Sequence, residues 1–295
     1  MPDEIEVEAE DAEDAKPQKK SKKQKNYDLI IERIFFDHYT EGAVDIAWER
    51  PEIVTAADAV GVPRPGNLGD VIYHYRYRGA FPRSILDKLP EGKQWIIRPA
   101  GRAKYRFCIV SNAKILPTPH MVVTKIPDAT PEIIAAKSLN DEQALLALVR
   151  YNRLIDIFLG IASYSLQNHL RTTVQDMGQV EVDEIYLAVD TYGVQYVLPV
   201  QAKGGTDTIG IVQIEQDIGV CAEKFEGLVG RPIAAQFMSD NVIALFELAV
   251  QDDAPAVVRE AHYKLVPFNE ITPGDRALFR GRAGLPPEAS AESPA

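Results

Sequence analysis

The most constraining feature of this chain is a pair of strand-like runs, Gln179–Val189 and Gln195–Gln201, set around Asp190-Thr191-Tyr192-Gly193. Short β-rich runs separated by an Asp/Gly turn specify an antiparallel hairpin. With Tyr192 at the turn centre, Asp183 faces Gln201 and Glu181 faces Lys203. Side chains alternate along a strand, so these four share one face. Further along, that face carries Ile185, Leu187, Val189 and Val197. A polar cluster thus closes one end of an apolar surface. Burying unpaired charge is costly, so the cluster needs mutual pairing or a metal.

The flanks supply the architecture. Ser138–Asn140 is a cap, and the apolar spacing after it predicts one long helix from Asp141 to about Ser165. His169–Val174 reads as a first strand before the hairpin. Gly204-Gly205 breaks the chain, and Asp207–Phe225 reads as a second amphipathic helix. Pro232–Met238 and Val242–Val250 form a further hairpin about Ser239-Asp240-Asn241, and Glu260–Val266 is a last strand. Helix, three strands, helix, strands is an α/β order with helices flanking a sheet.

The stretch before Pro131 has a different character. It is rich in Pro and Gly, and Val71–Tyr77, Gln94–Pro99, Tyr105–Ser111 and His120–Lys125 read as strands. A β-rich domain is expected over 27–135 and an α/β domain over 136–270. Pro2–Ala15 carries eight acids and no base, and Lys16–Lys25 six lysines and no acid. Such blocks are solvated, so 1–26 is expected to be a disordered charged tail, as is the Pro/Ala/Glu/Ser-rich 271–295.

The net charge of −11 argues against a uniformly basic nucleic-acid binder. Locally the balance reverses: Arg64–Arg106 holds ten Lys/Arg against three Asp/Glu, interleaved with aromatics. On a strand, Tyr73–Arg78 places tyrosines on one face and His74, Arg76 and Arg78 on the other. Two readings stand, a solvated basic face or a phosphate-contacting one.

Other chemistries are absent from the sequence. Cys108 and Cys221 cannot build a disulfide framework or a four-ligand zinc site. The five histidines are dispersed, and there is no phosphate loop, dinucleotide fingerprint or Gly-x-Ser-x-Gly elbow. No run reaches the roughly 18 apolar residues of a membrane span, and the amino terminus is acidic where a signal peptide is basic. A cytoplasmic protein without membrane contact is expected.

The hairpin cluster suits a hard divalent cation. Mg²⁺ takes one or two carboxylates, keeps waters and accepts phosphate oxygens. Asp183 offers a carboxylate, Gln201 a carbonyl oxygen, and Lys203 a cation for developing phosphate charge. Glu181-Val182-Asp183, a turn, then Gln201-Ala202-Lys203 resembles the catalytic hairpin of the PD-(D/E)XK, restriction-endonuclease-like nuclease superfamily, in a Gln-x-Lys variant with Gln where Asp or Glu is usual. The resemblance covers about Asp141–Val266. It implies a restriction-endonuclease-like core and a Mg²⁺-dependent DNA endonuclease, with Mn²⁺ as a substitute, in which Asp183 and Gln201 hold the metal and Lys203 serves the phosphate or water. The superfamily often adds an acid from the preceding helix, for which Asp156 is the best-placed residue; the other reading of Asp156 is a solvated or locally paired helix residue. Glu181 is a ligand, a water-orienting group or the ion-pair partner of Lys203. Gln213 and Gln216 contact phosphate, order the metal's water or form a plain polar helix face, and Arg171 is a phosphate contact or an edge-strand charge. The β-rich domain becomes the DNA-binding part. A homodimer follows from the need to cut two strands, not from any residue. The rival expectation is a non-catalytic nucleic-acid-binding module or assembly subunit that keeps the fold.

Overall fold

The computed structural model describes residues 21–111, 113–136, 142–204, 207–251 and 254–286. Helix α1 (Lys22–His38) opens the amino-terminal unit. Its N-cap Ser21 hydroxyl accepts a hydrogen bond from the Gln24 N–H, and Ile30, Ile31, Ile34 and Phe35 are buried at helical spacing. The expected tail 1–26 therefore ends early, because Lys22–Asn26 already belong to this helix; 1–20 lie outside the described residues. Strand β1 (Asp45–Glu49), helices α2 (Glu52–Ala59) and α3 (Leu68–Tyr73), a π-helical turn (His74–Arg78), α4 (Arg83–Leu86), β2 (Gln94–Pro99) and β3 (Lys104–Val110) follow. The strands form an antiparallel sheet in the order β1-β3-β2. Phe35, Trp48, Trp95 and Phe107 pack between it and α1, with Phe35 edge-on to Phe107 at 5.3 Å.

This unit is mixed rather than β-rich, and the correction centres on Val71–Tyr77. The Asn67 side chain accepts from the Gly69 N–H and starts a helix there. The Tyr-His-Tyr-Arg-Tyr alternation imitates a strand, but the rings of Tyr73 and Tyr77 meet at 4.8 Å within the helical turn.

The larger body begins with β4 (Lys114–Ile115), β5 (Val123–Pro127) and α5 (Glu132–Ala135). It continues with α6 (Glu142–Tyr151), α7 (Leu154–Leu159), β6 (Ala162–Val174), β7 (Gly178–Val189), β8 (Gln195–Lys203), β9 (Ile209–Gly210) and α8 (Ile211–Lys224). Strands β10 (Val229–Gly230), β11 (Ile233–Phe237), β12 (Val242–Gln251) and β13 (Ala254–Val266) and helix α9 (Pro273–Arg282) complete it. An eight-stranded mixed sheet runs β5-β13-β12-β11-β8-β7-β6, with β10 also on β8. Strand β5 lies before residue 135 yet pairs in parallel with β13, so the large sheet reaches back across the expected domain boundary. Helices α6 and α7 cover one face through Leu145, Leu146, Leu154 and Ile155 against Leu198, Val200 and Ala202. Helix α8 covers the other through Ile214 against Ala234, Ala244 and Phe246, and through Val220 against Ile185 and Val197. This is a mixed α/β architecture. No helix among the described residues is long and apolar enough to cross a membrane.

Two further expectations are corrected. The single helix expected from Asp141 to Ser165 is, from Glu142 on, α6, α7 and the start of β6; the expected cap Ser138–Asn140 and Asp141 lie outside the described residues. Arg153 adopts a left-handed conformation at φ 49°, Asn152 Nδ2 donates to the Leu148 carbonyl, and Gly160 ends α7 at φ 70°. Apolar spacing continued through these breaks, so periodicity alone could not show them. The carboxyl-terminal tail is helical over α9, where Thr272 and Asp275 form a reciprocal capping box and Asp275 pairs with Lys125 at 2.9 Å. Residues 287–295 lie outside the described residues. The two bodies meet where Ile96 and Cys108 pack on Ile211 and Val212, and where the Arg98 guanidinium grips both carboxylate oxygens of Glu215.

Candidate functional site

The hairpin register is the one the turn predicts. Strands β7 and β8 pair from Val189–Gln195 to Glu184–Val200, and the ladder stops there. Asp183 and Gln201 come next. On its other edge β7 pairs Glu184 with Asn168 and Val182 with Leu170, passing over Asp183 and the facing His169. His169 is left-handed at φ 49°, which costs a non-glycine residue roughly 1–2 kcal/mol. Both ladders are thus interrupted at Asp183. Its own carboxylate fills part of the gap, since Oδ2 accepts from the Ala202 N–H at 2.9 Å.

Beyond Val200, strand β8 pairs with β11 through Gln201, Ala202 and Lys203, which holds those residues against α8. Gln201 is 2% exposed. Its Nε2 donates to Asp217 Oδ1 at 2.9 Å and to the Glu181 carbonyl at 3.3 Å. Its Oε1 accepts from Gln213 Nε2 at 3.4 Å, and Gln213 Oε1 accepts from the Gly210 N–H at the start of α8. The amide is therefore oriented from both ends by one helix.

The electrostatics follow from burial. Burial pushes the Asp183 carboxyl up, opposed by the Ala202 N–H and by Lys203 and His169. Burial raises Asp217 well above the ordinary carboxylate range; the Gln201 hydrogen bond opposes this and the Asp183 charge adds to it. The Asp183 charge thus disfavours ionisation of Asp217, and Lys203 lies near both carboxyls.

Asp183, Gln201 and Lys203 line a groove of about 1180 Å³ between the two bodies. Gln213, Gln216, His169, Arg171 and Glu181 line it from the larger body, and Arg50, Arg76, Arg102 and Tyr73 from the smaller. The structure brings Asp183, Gln201, Lys203 and Gln213 together. Glu181 is at the same end, but it pairs with Arg171 at 3.1 Å rather than with Lys203. Arg171 lines the groove with Glu181 as its ion-pair partner. Asp156 is elsewhere: it accepts from the Ser163 N–H and hydroxyl and pairs with Arg153, closing the turn from α7 into β6. Arg76 is not on an exposed basic face. Its Nε donates to the Ile97 carbonyl at 2.8 Å and its guanidinium lies by the Tyr105 ring. Arg78 is exposed and lies 4.9 Å from the Tyr73 ring centre.

Asp217, His169 and Glu142 were missed. Glu142 begins α6 and lines the groove, the place expected of a helix acid. The i, i+4 spacing of Gln213 and Asp217 on an amphipathic helix facing the hairpin was the available signal for Asp217. Among the described residues no group of three or more His, Cys, Asp and Glu forms a metal cluster. The donor set is instead one carboxylate with an amide carbonyl beside it. That suits a cation that keeps most of its waters, and among the described residues only the Ala202 N–H hydrogen-bonds the Asp183 carboxylate.

Comparison with protein-family models, curated proteins and solved structures finds no match.

Proposed function

We propose that the protein is a Mg²⁺-dependent DNA endonuclease of the PD-(D/E)XK, restriction-endonuclease-like class in its Gln-x-Lys form. The observation that carries the proposal is the double ladder break at Asp183, which presents its carboxylate beside Gln201 and Lys203 in a groove walled by arginines. The order α6, β6, β7, β8, α8, β11 supports the same core.

Asp183 and the Gln201 carbonyl would hold the metal, with Mn²⁺ as a substitute; when bound, it supplies an acidified water and neutralises phosphate charge. Asp217 and the Glu181 carbonyl hold the amide nitrogen of Gln201, and Gln213 donates to its carbonyl oxygen, whose second lone pair would be the metal ligand. Lys203 stabilises charge developing on the phosphate, and Arg50 and Arg102 attract the backbone.

Incubating the protein with supercoiled and linear DNA in Mg²⁺ or chelator tests this. Nicked or linear product only with metal is expected. Cutting in chelator contradicts the mechanism, and DNA binding without cutting under any metal favours the non-catalytic binding module.

A further inference from the structure

A second cavity, about 310 Å³, lies along the free edge of β2 and shares Arg76 and Tyr77 with the groove. Strand β2 is an edge of its sheet. At the β2–β3 turn the Ala100 N–H bonds to the Lys104 carbonyl, and on the far side of β3 the Ile109 N–H bonds to Val44. Antiparallel pairing alternates, so the N–H and C=O of both Trp95 and Ile97 point away from β3, along the free edge. Arg76 Nε takes the Ile97 carbonyl. The remaining groups of that edge, the Trp95 N–H and C=O and the Ile97 N–H, belong to residues only 4% and 0% exposed. Arg76 Nη2 and Trp95 Nε1 are buried without a partner among the described residues. Buried polar groups are nearly always paired, so these two unmet donors beside one cavity and a free strand edge call for a ligand.

The cavity is at the small end of ligand pockets, which span roughly 300–1,000 Å³, and suits one planar ring better than a run of peptide. Tyr77, Phe81 and Ile211 are among its walls. Trp95 C=O and Ile97 N–H lie on either side of Ile96 along the strand edge. A ring with an amino group beside a ring nitrogen matches them, its amine donating to Trp95 C=O and its nitrogen accepting from Ile97 N–H. We infer that this cavity binds a single amino-bearing nucleobase, adenine or cytosine, extruded from the DNA held in the adjacent groove. The inference rests on the proposed DNA-binding role, and the cavity's position behind the Arg76–Tyr77 wall is what links it to the groove.

Binding in chelator to a fully paired duplex, to the same duplex with one bulged nucleotide, and to an abasic bulge tests it. A bulge removes most of the unstacking cost, so bulged adenine or cytosine should bind about tenfold or more tighter than the paired duplex. The abasic and thymine bulges should not. Ala80 is exposed and lines the cavity, so Ala80→Trp fills it from outside. This variant should lose the preference while keeping its melting temperature and its affinity for paired DNA. Equal binding of all bulges, or an unchanged preference in Ala80→Trp, overturns the inference. Adenosine or cytidine binding that Ala80→Trp abolishes, without any DNA binding, reassigns the cavity to a free nucleoside and removes the nuclease reading. Binding of paired duplex with no response to bulge or nucleoside removes the cavity's role alone.

Discussion

Asp183 and Glu184 are adjacent carboxylates on one strand, and alternation sends them to opposite faces of the sheet. Glu184 is 0% exposed and faces α6, where Arg150 pairs with it at 2.8 Å and the Ser165 hydroxyl donates to it. Asp183 faces α8 and the groove, where it receives one backbone N–H and no cation within hydrogen-bonding distance. Burial raises it, whereas an arginine neutralises its neighbour. The chain gives Glu184 its counter-charge and leaves Asp183 without one among the described residues; on the proposed function, a bound metal would supply the missing charge.

The widest separation between the two should be catalytic. Lys203→Ala should lower cleavage rate by about 10²–10³-fold, the usual loss when a stabiliser of developing charge is removed. Asp183→Ala should lower it further, with the melting temperature unchanged or slightly higher, because a buried carboxyl without a cation is relieved. Plasmid cleavage and thermal melts together measure both. A large fall in melting temperature for Asp183→Ala would make it a structural residue like its neighbour.

The next effect belongs to the other face. Arg150→Ala leaves Glu184 buried without its counter-charge and should destabilise by roughly 3 kcal/mol. That is the low end for a broken buried pair, because Arg150 is 34% exposed. Denaturant unfolding should show the loss while metal binding persists. Metal binding lost in step with stability would join the two faces into one unit.

Gln201→Glu sharpens the comparison by adding charge on the α8 face. The new carboxylate meets Asp217 Oδ1, where the native amide donates at 2.9 Å. The pair survives only while one of the two keeps a proton, so the variant should melt lower than wild type at pH 8 and close to it at pH 5. Mg²⁺ should restore part of the difference.

The smallest effect is the pH dependence of the metal-free protein. Asp183 and Asp217 both hold their protons to higher pH when folded than when unfolded. The unfolded chain therefore loses them first. The stability they contribute is complete below the ordinary aspartate range and declines as pH rises above it. Asp217→Asn keeps an acceptor for Gln201, and should flatten this decline and raise the melting temperature near neutrality. An unchanged pH profile would mean that Asp217 is ionised in the fold.

Much of the site was legible because it is local. The turn Asp190–Gly193 sets the register, and the register alone puts Asp183 against Gln201. The rest depends on contacts distant in sequence. Asp217 acquires its role only when α8 crosses the sheet, and Asp156 is withdrawn by a hydrogen bond to Ser163 that follows from the left-handed Gly160. The amino-terminal unit was misread where an alternating aromatic and basic sequence mimics a strand. A helix cap at Asn67, six residues before Tyr73, decides its conformation.

The most direct measurement of the division between the two carboxylates is Mn²⁺ uptake, read from the free-ion signal in electron paramagnetic resonance. Wild-type protein and Glu184→Gln should both take up the ion, and Asp183→Ala should not. Uptake by Asp183→Ala equal to wild type, or no uptake by wild type at millimolar Mn²⁺, would contradict the assignment of Asp183 as the residue the fold holds open for a metal.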